Sequence, residues 1–246
     1  MMNNFESAKA NNIRTSLQFS SNTARQERNS KGKSLMGIAD NYIVIDIETT
    51  GLDVSCDEII EIAAAKVEDG IIVDKFASLI KPENRINALI IELTGITNEM
   101  VETAPTAEVV LQAFVDFVGD GLLIGHNVNF DINFLYDNCQ EKIGYNLSNN
   151  FIDTLRLSRM LFAQEKQHKL TDLINRFGIG RVVEHRALGD VLQTQKCYEY
   201  MLGYSVDHSV KLKHLSTQVK ASLRGRRKTK KNIVSEMGNL FANLKD

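Results

Sequence analysis

Two carboxylates interrupt an apolar strand pattern near the start of the chain's regular sequence. In Tyr42-Ile-Val-Ile-Asp-Ile-Glu48, Asp46 and Glu48 are two residues apart, and alternate residues of a strand project to one face. Burying both uncompensated would cost on the order of several kcal/mol each. Divalent cations would supply the compensation; an exposed strand end, where both acids meet water, would avoid the need for it. A third acid, Asp131, closes Leu122-Leu-Ile-Gly-His-Asn-Val-Asn-Phe-Asp131, which reads as a buried strand ending at Gly125 and turning into a helix. Ligands collect at such strand ends, although an acid in a first helical turn also complements the helix dipole. His185 and Asp190, spaced His-Arg-Ala-Leu-Gly-Asp, stand at the start of the last strongly periodic segment, where a lone His is as readily a cap as a catalyst. The four carboxylates and one imidazole become informative only together, as a set whose oxygens suit hard divalent ions.

The elements that must position these residues follow from hydrophobic period. Three strands are expected at 42–48, 59–67 and 71–80, the last two joined by the turn Glu68-Asp69-Gly70, which makes an antiparallel meander. Val109, Val110, Ala113, Phe114, Phe117 and Val118 recur at helical spacing over 106–118, and a short buried strand at 122–124 follows. Helices at 129–140, 155–163, 169–177 and 187–202, with a strand at 151–153, complete an α/β layer fold with a mixed five-stranded sheet, three antiparallel strands and then parallel ones. Residues 1–40, rich in Asn, Ser and charge, read as a disordered extension. His126 and Asn127 support the turn before Asp131, and His168 reads as an exposed residue at a helix start.

Of the 246 residues, 43% are hydrophobic and 24% charged, as in ordinary globular proteins. No apolar stretch approaches the roughly 18 residues of a membrane span, and the N-terminus lacks the apolar core of a secretory signal. A cytoplasmic location is therefore expected. Three cysteines, Cys56, Cys139 and Cys197, show no CxxC spacing, which argues against a disulfide framework or zinc ribbon. The net charge of -2 conceals a division: residues 41–204 carry 13 Lys/Arg against 25 Asp/Glu, and residues 205–246 carry ten against three. An acidic core suits divalent cations and a basic tail suits phosphate backbones.

The segments Asp46-Ile-Glu48-Thr49-Thr50-Gly51-Leu52, His126-Asn-Val-Asn-Phe130-Asp131 and His185-Arg-Ala-Leu-Gly-Asp190 resemble, in order, spacing and residue type, the three motifs of the DEDDh 3′–5′ exonucleases. Leu93-Thr-Gly-Ile-Thr97 is similar to the corresponding segment in proofreading domains of bacterial DNA polymerase III, of the epsilon and PolC types. The tyrosine subclass would place Tyr where this chain has Arg186. The resemblance covers residues 41–204 and implies a ribonuclease H-like fold and two Mg²⁺ or Mn²⁺ ions. It implies that Asp46 bridges them, that Glu48 and Asp190 complete the ligands of one, that Asp131 holds the other through water, and that His185 is the general base. Backbone groups at Thr49 and Thr50 would hold the terminal nucleotide and Leu52 would wedge between the last two bases. Phe130 would flank the same pocket, with core packing as its plainer role.

The implied activity is hydrolysis from DNA 3′ ends, single-stranded or mispaired, releasing nucleoside 5′-monophosphates, by a proofreading subunit or a free-standing relative. The same chemistry on RNA, as in oligoribonuclease and RNase T, is the alternative. A non-catalytic nucleic-acid or polymerase-binding module is a third reading, against which all five motif residues stand. Arg224, Arg226, Arg227, Lys228, Lys230 and Lys231 form a basic run suited to template phosphates or to a solvated linker. Ile233, Val234, Met237, Leu240, Phe241 and Leu244 form an amphipathic stripe suited to a partner's groove, which the resemblance implies is a polymerase catalytic subunit's, or to folding back on its own domain. Met237 stands where a sliding-clamp peptide has Gln, so clamp binding is not expected.

Overall fold

The structure, a computed structural model, describes residues 28–180 and 186–215. Strands β1 (Ser34–Leu35), β2 (Asn41–Thr49), β3 (Ile59–Glu68), β4 (Ile71–Leu79), β5 (Leu123–Gly125) and β6 (Phe151–Asp153) form one mixed sheet in the order β1-β6-β5-β2-β3-β4. The helices among the described residues are α1 (Ala88–Thr94), α2 (Asn98–Glu102), α3 (Ala107–Val118), α4 (Asn129–Ile143), α5 (Thr154–Leu161), α6 (Leu170–Phe177) and α7 (Ala187–Asp207). The expected meander is present. Its hairpin turn has positive φ at both central residues, Asp69 at 49° and Gly70 at 76°, the twist that a two-residue connection between antiparallel strands requires.

The pleat of β2 assigns the two sheet faces. Ile43, Ile45 and Ile47 enter one core with Phe114 and Val118 of α3 and Ile132 and Leu135 of α4. Tyr42 and Val44 enter the other with Leu157 of α5 and Ala187, Val191 and Tyr198 of α7. Asp46 and Glu48 continue this second face, so the acids project toward the side that α7 covers. Ala63 and Ala65 of β3 lie on the same face, fully buried, and Ala63 is the register partner of Asp46. A small neighbour there leaves room beside the carboxylate.

Six strands are present among the described residues, where five were expected. The sixth, β1, comes from the segment expected to be disordered and runs parallel to β6, with Ser34 opposite Phe151 and Leu35 opposite Ile152. Two residues show no period, so only contacts distant in sequence reveal this strand. Arg28 grips Asp137 of α4 with Nε to Oδ1 at 2.8 Å and Nη2 to Oδ2 at 2.5 Å, and Lys31 Nζ reaches Asn129 and Asn133 at 2.9 and 2.8 Å. At Gly32 a Cβ would fall 1.8 Å from the Asn149 carbonyl oxygen, so the close approach of the two backbones requires glycine. Arg28→Ala leaves the nearly buried Asp137 carboxylate without its cation and is expected to lower unfolding free energy by about 3 kcal/mol, read from urea denaturation.

Helices α1 and α2 were also not expected. The run Ala88-Leu-Ile-Ile has no helical period, and its tertiary cover is a small cluster of Ile60, Ile86, Ile96 and Val101. Their caps decide them: Asn87 accepts the Ile90 N–H, Gly95 ends α1 at φ 69°, and Thr97 accepts the Met100 N–H. After α7, which runs to Asp207, Ile38 and His214 form a parallel bridge. No helix among the described residues is long and apolar enough to cross a membrane.

Candidate active site

Asp46, Glu48 and Asp190 converge at the C-terminal end of β2. Each offers a carboxylate oxygen, and the three oxygens lie within 4.8 Å of one another. The first two arrive together through the pleat of β2. The third comes from the first turn of α7, where its N–H donates to the Arg186 carbonyl at 3.1 Å. Just beyond Glu48 the register with β3 shifts, so that Glu48 pairs with Glu61 but Thr49 pairs with Ile59, and Ile60 is the extra residue on the β3 side.

Asp131 stands outside that group of three and is docked beside it. Ladder pairing between β2 and β5 stops at Val44 and Ile124, and farther along β2 the Ile47 N–H donates instead to Asp131 Oδ1 at 3.1 Å. Ile47 lies between the two strand acids, so this bond fixes the fourth carboxylate relative to both. The turn that delivers Asp131 contains Asn127 at φ 59°, a left-handed conformation costly for most side chains and tolerated by Asn. Asp153, at the end of β6 and buried, holds it: its Oδ1 accepts the N–H of Asn127 at 2.9 Å and that of Leu155, in the first turn of α5, at 2.9 Å. Asp153→Ala removes a helix cap and leaves the Asn127 N–H unsatisfied, for an expected loss of about 2 kcal/mol in thermal or urea unfolding.

Negative charge accumulates here and is only partly offset. Burial, then the carboxylates of Asp131, Asp190, Glu48 and Glu61, hold the Asp46 pKa well above the ordinary carboxylate range. Burial and Asp190, Glu61 and Asp131 push Glu48 up to about 8, partly offset by Arg186. Burial pushes Asp131 up to about 7, against the backbone N–H groups that favour its ionised form. Protons can occupy such a site at neutral pH, and a divalent cation replaces them with charge and with bonds to hard oxygen donors. The donor set therefore fits a divalent metal.

The neighbouring loop is braced internally. The Thr49 hydroxyl donates to the Gly51 carbonyl at 2.5 Å, and the Thr50 hydroxyl donates to Asp57 at 3.2 Å while accepting the Glu58 N–H at 2.9 Å. The Thr50 N–H donates to the Glu58 carbonyl at 2.8 Å, so that group is already engaged. Leu52 is 66% exposed and is no core leucine. Phe130 is half-buried, packed on the first core and 4.8 Å from the Phe134 ring centroid. His126 meets Thr154 Oγ1 at 3.0 Å, and burial lowers its pKa to about 4, which keeps it neutral. His168 is not the exposed residue expected: it is buried, with Nδ1 3.1 Å from Ser158 Oγ and Nε2 3.0 Å from the Glu165 carbonyl. His185 lies outside the described residues, as do Arg224, Arg226, Arg227, Lys228, Lys230, Lys231 and the stripe 233–244.

Sequence reasoning missed Glu61 and the role of Arg186. Glu61 sits in the apolar run Ile59-Ile-Glu-Ile-Ala-Ala-Ala, is 4% exposed, and receives the Arg186 guanidinium. An acid inside such a run was a visible signal; its partner, 125 positions away, was not.

The exonuclease family model of the RNase T type matches residues 43–198. Among curated relatives, the PolC-type DNA polymerase III of Staphylococcus haemolyticus (strain JCSC1435) is 42% identical over 154 residues, 62% of this chain and 11% of the relative. That of Bacillus subtilis (strain 168) is 41% identical over 156 residues, 63% of this chain and 11% of the relative. The chain thus spans about one-tenth of the length of these relatives. Two solved structures share the fold. Exonuclease X in complex with 5′ overhanging duplex DNA has a TM-score of 0.52 and 23% identity, covering 71% of this chain and 95% of that one. Escherichia coli exonuclease I in complex with a dT13 oligonucleotide has a TM-score of 0.60 and 16% identity, covering 69% and 42%. The matched span encloses every motif residue from Asp46 to Asp190, and the chain belongs to the RNase T family of DEDD 3′–5′ exonucleases, metal-dependent phosphodiester hydrolases.

Proposed function

We propose that the domain removes nucleotides from DNA 3′ ends, releasing nucleoside 5′-monophosphates, and that it serves proofreading in the manner of the polymerase III relatives. The observation that carries this reading is the convergence of Asp46, Glu48 and Asp190, with Asp131 docked on the strand between the first two. Identity above 40% to PolC-type polymerases supports DNA over RNA as substrate.

Asp46, Glu48 and Asp190 would hold one Mg²⁺ or Mn²⁺, and Asp46 with Asp131 a second. When bound, such ions supply an activated water and neutralise charge on the attacked phosphate and the leaving oxygen. His185 would serve as the general base toward water, a role to which an imidazole with an unperturbed pKa of ~6.5 is suited at neutral pH. Leu52, exposed beside the site, is the wedge that separates the last two bases. A blunt apolar wedge favours ends that are already unpaired, because opening them costs less. We assign a cytoplasmic setting on the free thiols of Cys56, Cys139 and Cys197. The basic run 224–231 is assigned to template phosphates on its charge, and the stripe 233–244 to a polymerase catalytic subunit on the resemblance to polymerase III proofreading subunits.

The test is a time course with 5′-labelled single-stranded DNA, RNA of the same sequence, and a duplex with a mispaired 3′ end, each in Mg²⁺, Mn²⁺ or EDTA. A metal-dependent ladder shortening from the 3′ end of DNA is expected, fastest on unpaired ends. Faster cleavage of the RNA would reassign the substrate. No cleavage in either metal would leave a binding module or a subunit active only with its polymerase.

A further inference from the structure

Glu61 is a third acid on the sheet face that carries Asp46 and Glu48, and it is the register partner of Glu48 itself. Yet it is not one of the three carboxylates that converge. Its oxygens are engaged elsewhere: Arg186 Nε lies 3.3 and 3.2 Å from the two oxygens, Arg186 Nη2 is 2.8 Å from Oε1, and the Ala187 N–H donates to Oε2 at 3.0 Å. Arg186 is the N-cap residue of α7 and offers no capping bond from its own side chain. The first free N–H of the helix, that of Ala187, is satisfied instead from a strand, through Glu61. Arg186 also closes the first turn of α7, because its carbonyl accepts the Asp190 N–H.

We propose that Glu61 and Arg186 are positioning residues, whose forked ion pair clamps the first turn of α7 onto β3 and so sets where the Asp190 carboxylate meets Asp46 and Glu48. This deepens the exonuclease reading and rests on it. A guanidinium can hold both oxygens of a carboxylate in one plane, whereas an ammonium acts as a point charge. The geometry here uses the fork: with Ala187 as a third donor, the acid is held out of the metal cluster and the helix is held in one register. Carboxylates and backbone groups that orient metal ligands in this way typically change metal affinity or activity by about 10–100-fold when removed.

The test uses the full chain as wild type, Arg186→Lys, Glu61→Gln and the double variant Glu61→Gln/Arg186→Met. Mn²⁺ affinity is read by electron paramagnetic resonance, kcat and KM on 5′-labelled single-stranded DNA, and the melting temperature in EDTA. Arg186→Lys keeps the charge and loses the fork. It is expected to weaken Mn²⁺ binding and lower kcat by about 10-fold each, with KM within about twofold, a melting temperature in EDTA near that of the wild type, and a rate that recovers toward wild type as Mn²⁺ is raised. The double variant removes the isolated buried charge that a single Arg186 replacement would leave, and it is expected to fold with the same metal defect. Wild-type Mn²⁺ affinity and kcat in Arg186→Lys and in the folded double variant would overturn the proposal. So would activity that falls only in step with melting temperature at unchanged Mn²⁺ affinity, which is the behaviour of a structural ion pair. A wild-type chain that neither binds Mn²⁺ nor shortens DNA would overturn the exonuclease reading itself, and this proposal with it.

Discussion

Asp46→Asn combined with Glu48→Gln is expected to lower 3′-end cleavage by about 10³-fold or more, because two of the three converging carboxylates lose the charge that holds a metal. In EDTA the same protein is expected to melt several degrees above the wild type, roughly 2–4 °C for each kcal/mol gained. The two effects have one origin. Burial and four other carboxylates act on Asp46, and burial with three others on Glu48, so the metal-free fold carries repulsion that neutral amides relieve. The comparison is made with a cleavage gel and two melting curves, one in EDTA and one in Mn²⁺, in which only the wild type should gain from the metal. Wild-type cleavage by the variant would remove these residues from the site. A lower melting temperature in EDTA would mean that the acids stabilise the fold by other contacts.

The second expectation concerns pH. Glu48 is pushed up to about 8 and Asp131 up to about 7, above their values in an unfolded chain. At these two acids the folded state therefore binds more protons than the unfolded state over that range, and their contribution to metal-free stability falls as pH rises. The loss begins above the unfolded carboxylate pKa near ~4 and is complete only above about 8. With saturating Mg²⁺ the sign reverses, since the metal binds the deprotonated acids and its affinity rises through the same window. The gap in melting temperature between Mg²⁺ and EDTA is expected to widen steadily from pH 5 to pH 8 and to correspond to a few kcal/mol at the upper end. A gap independent of pH would contradict it. Asp131→Asn should remove the part of the slope that lies below about pH 7.

How much of this could be read in the sequence depends on the range of the interaction responsible. The pairing of Asp46 with Glu48 on one face is a property of a single strand, and the hairpin at Asp69 and Gly70 is a property of four residues; both were legible. So was Asp131 in the first turn of α4, because a buried strand followed by a helix leaves a recognisable break. The docking of Asp131 on the Ile47 N–H was not, since it depends on where the ladder between β2 and β5 stops. Glu61 illustrates the limit most clearly: its residue type stood out, but its register opposite Glu48 and its engagement by Arg186 exist only once α7 is laid across β3. The burial of His168 has the same cause. Its helix-start position was visible, whereas Ser158, which covers it, belongs to another helix. Strand β1 is too short to carry any period, and only Gly32, Arg28 and their distant partners give it a place.

That last strand bears on how the protein behaves at high concentration. A β-edge with open N–H and C=O groups is a template for pairing with another chain, and natural sheets protect such edges with short or interrupted strands. Here β1, two residues long, covers the outer side of β6, and the Phe151 N–H is taken by the Lys33 carbonyl. A chain shortened to begin at Tyr42 would keep every acidic motif residue and still uncover the backbone of Phe151 and Ile152. Such a chain would be prone to self-association through β6, and residues 28–40 belong with the folded unit for solubility as well as for stability.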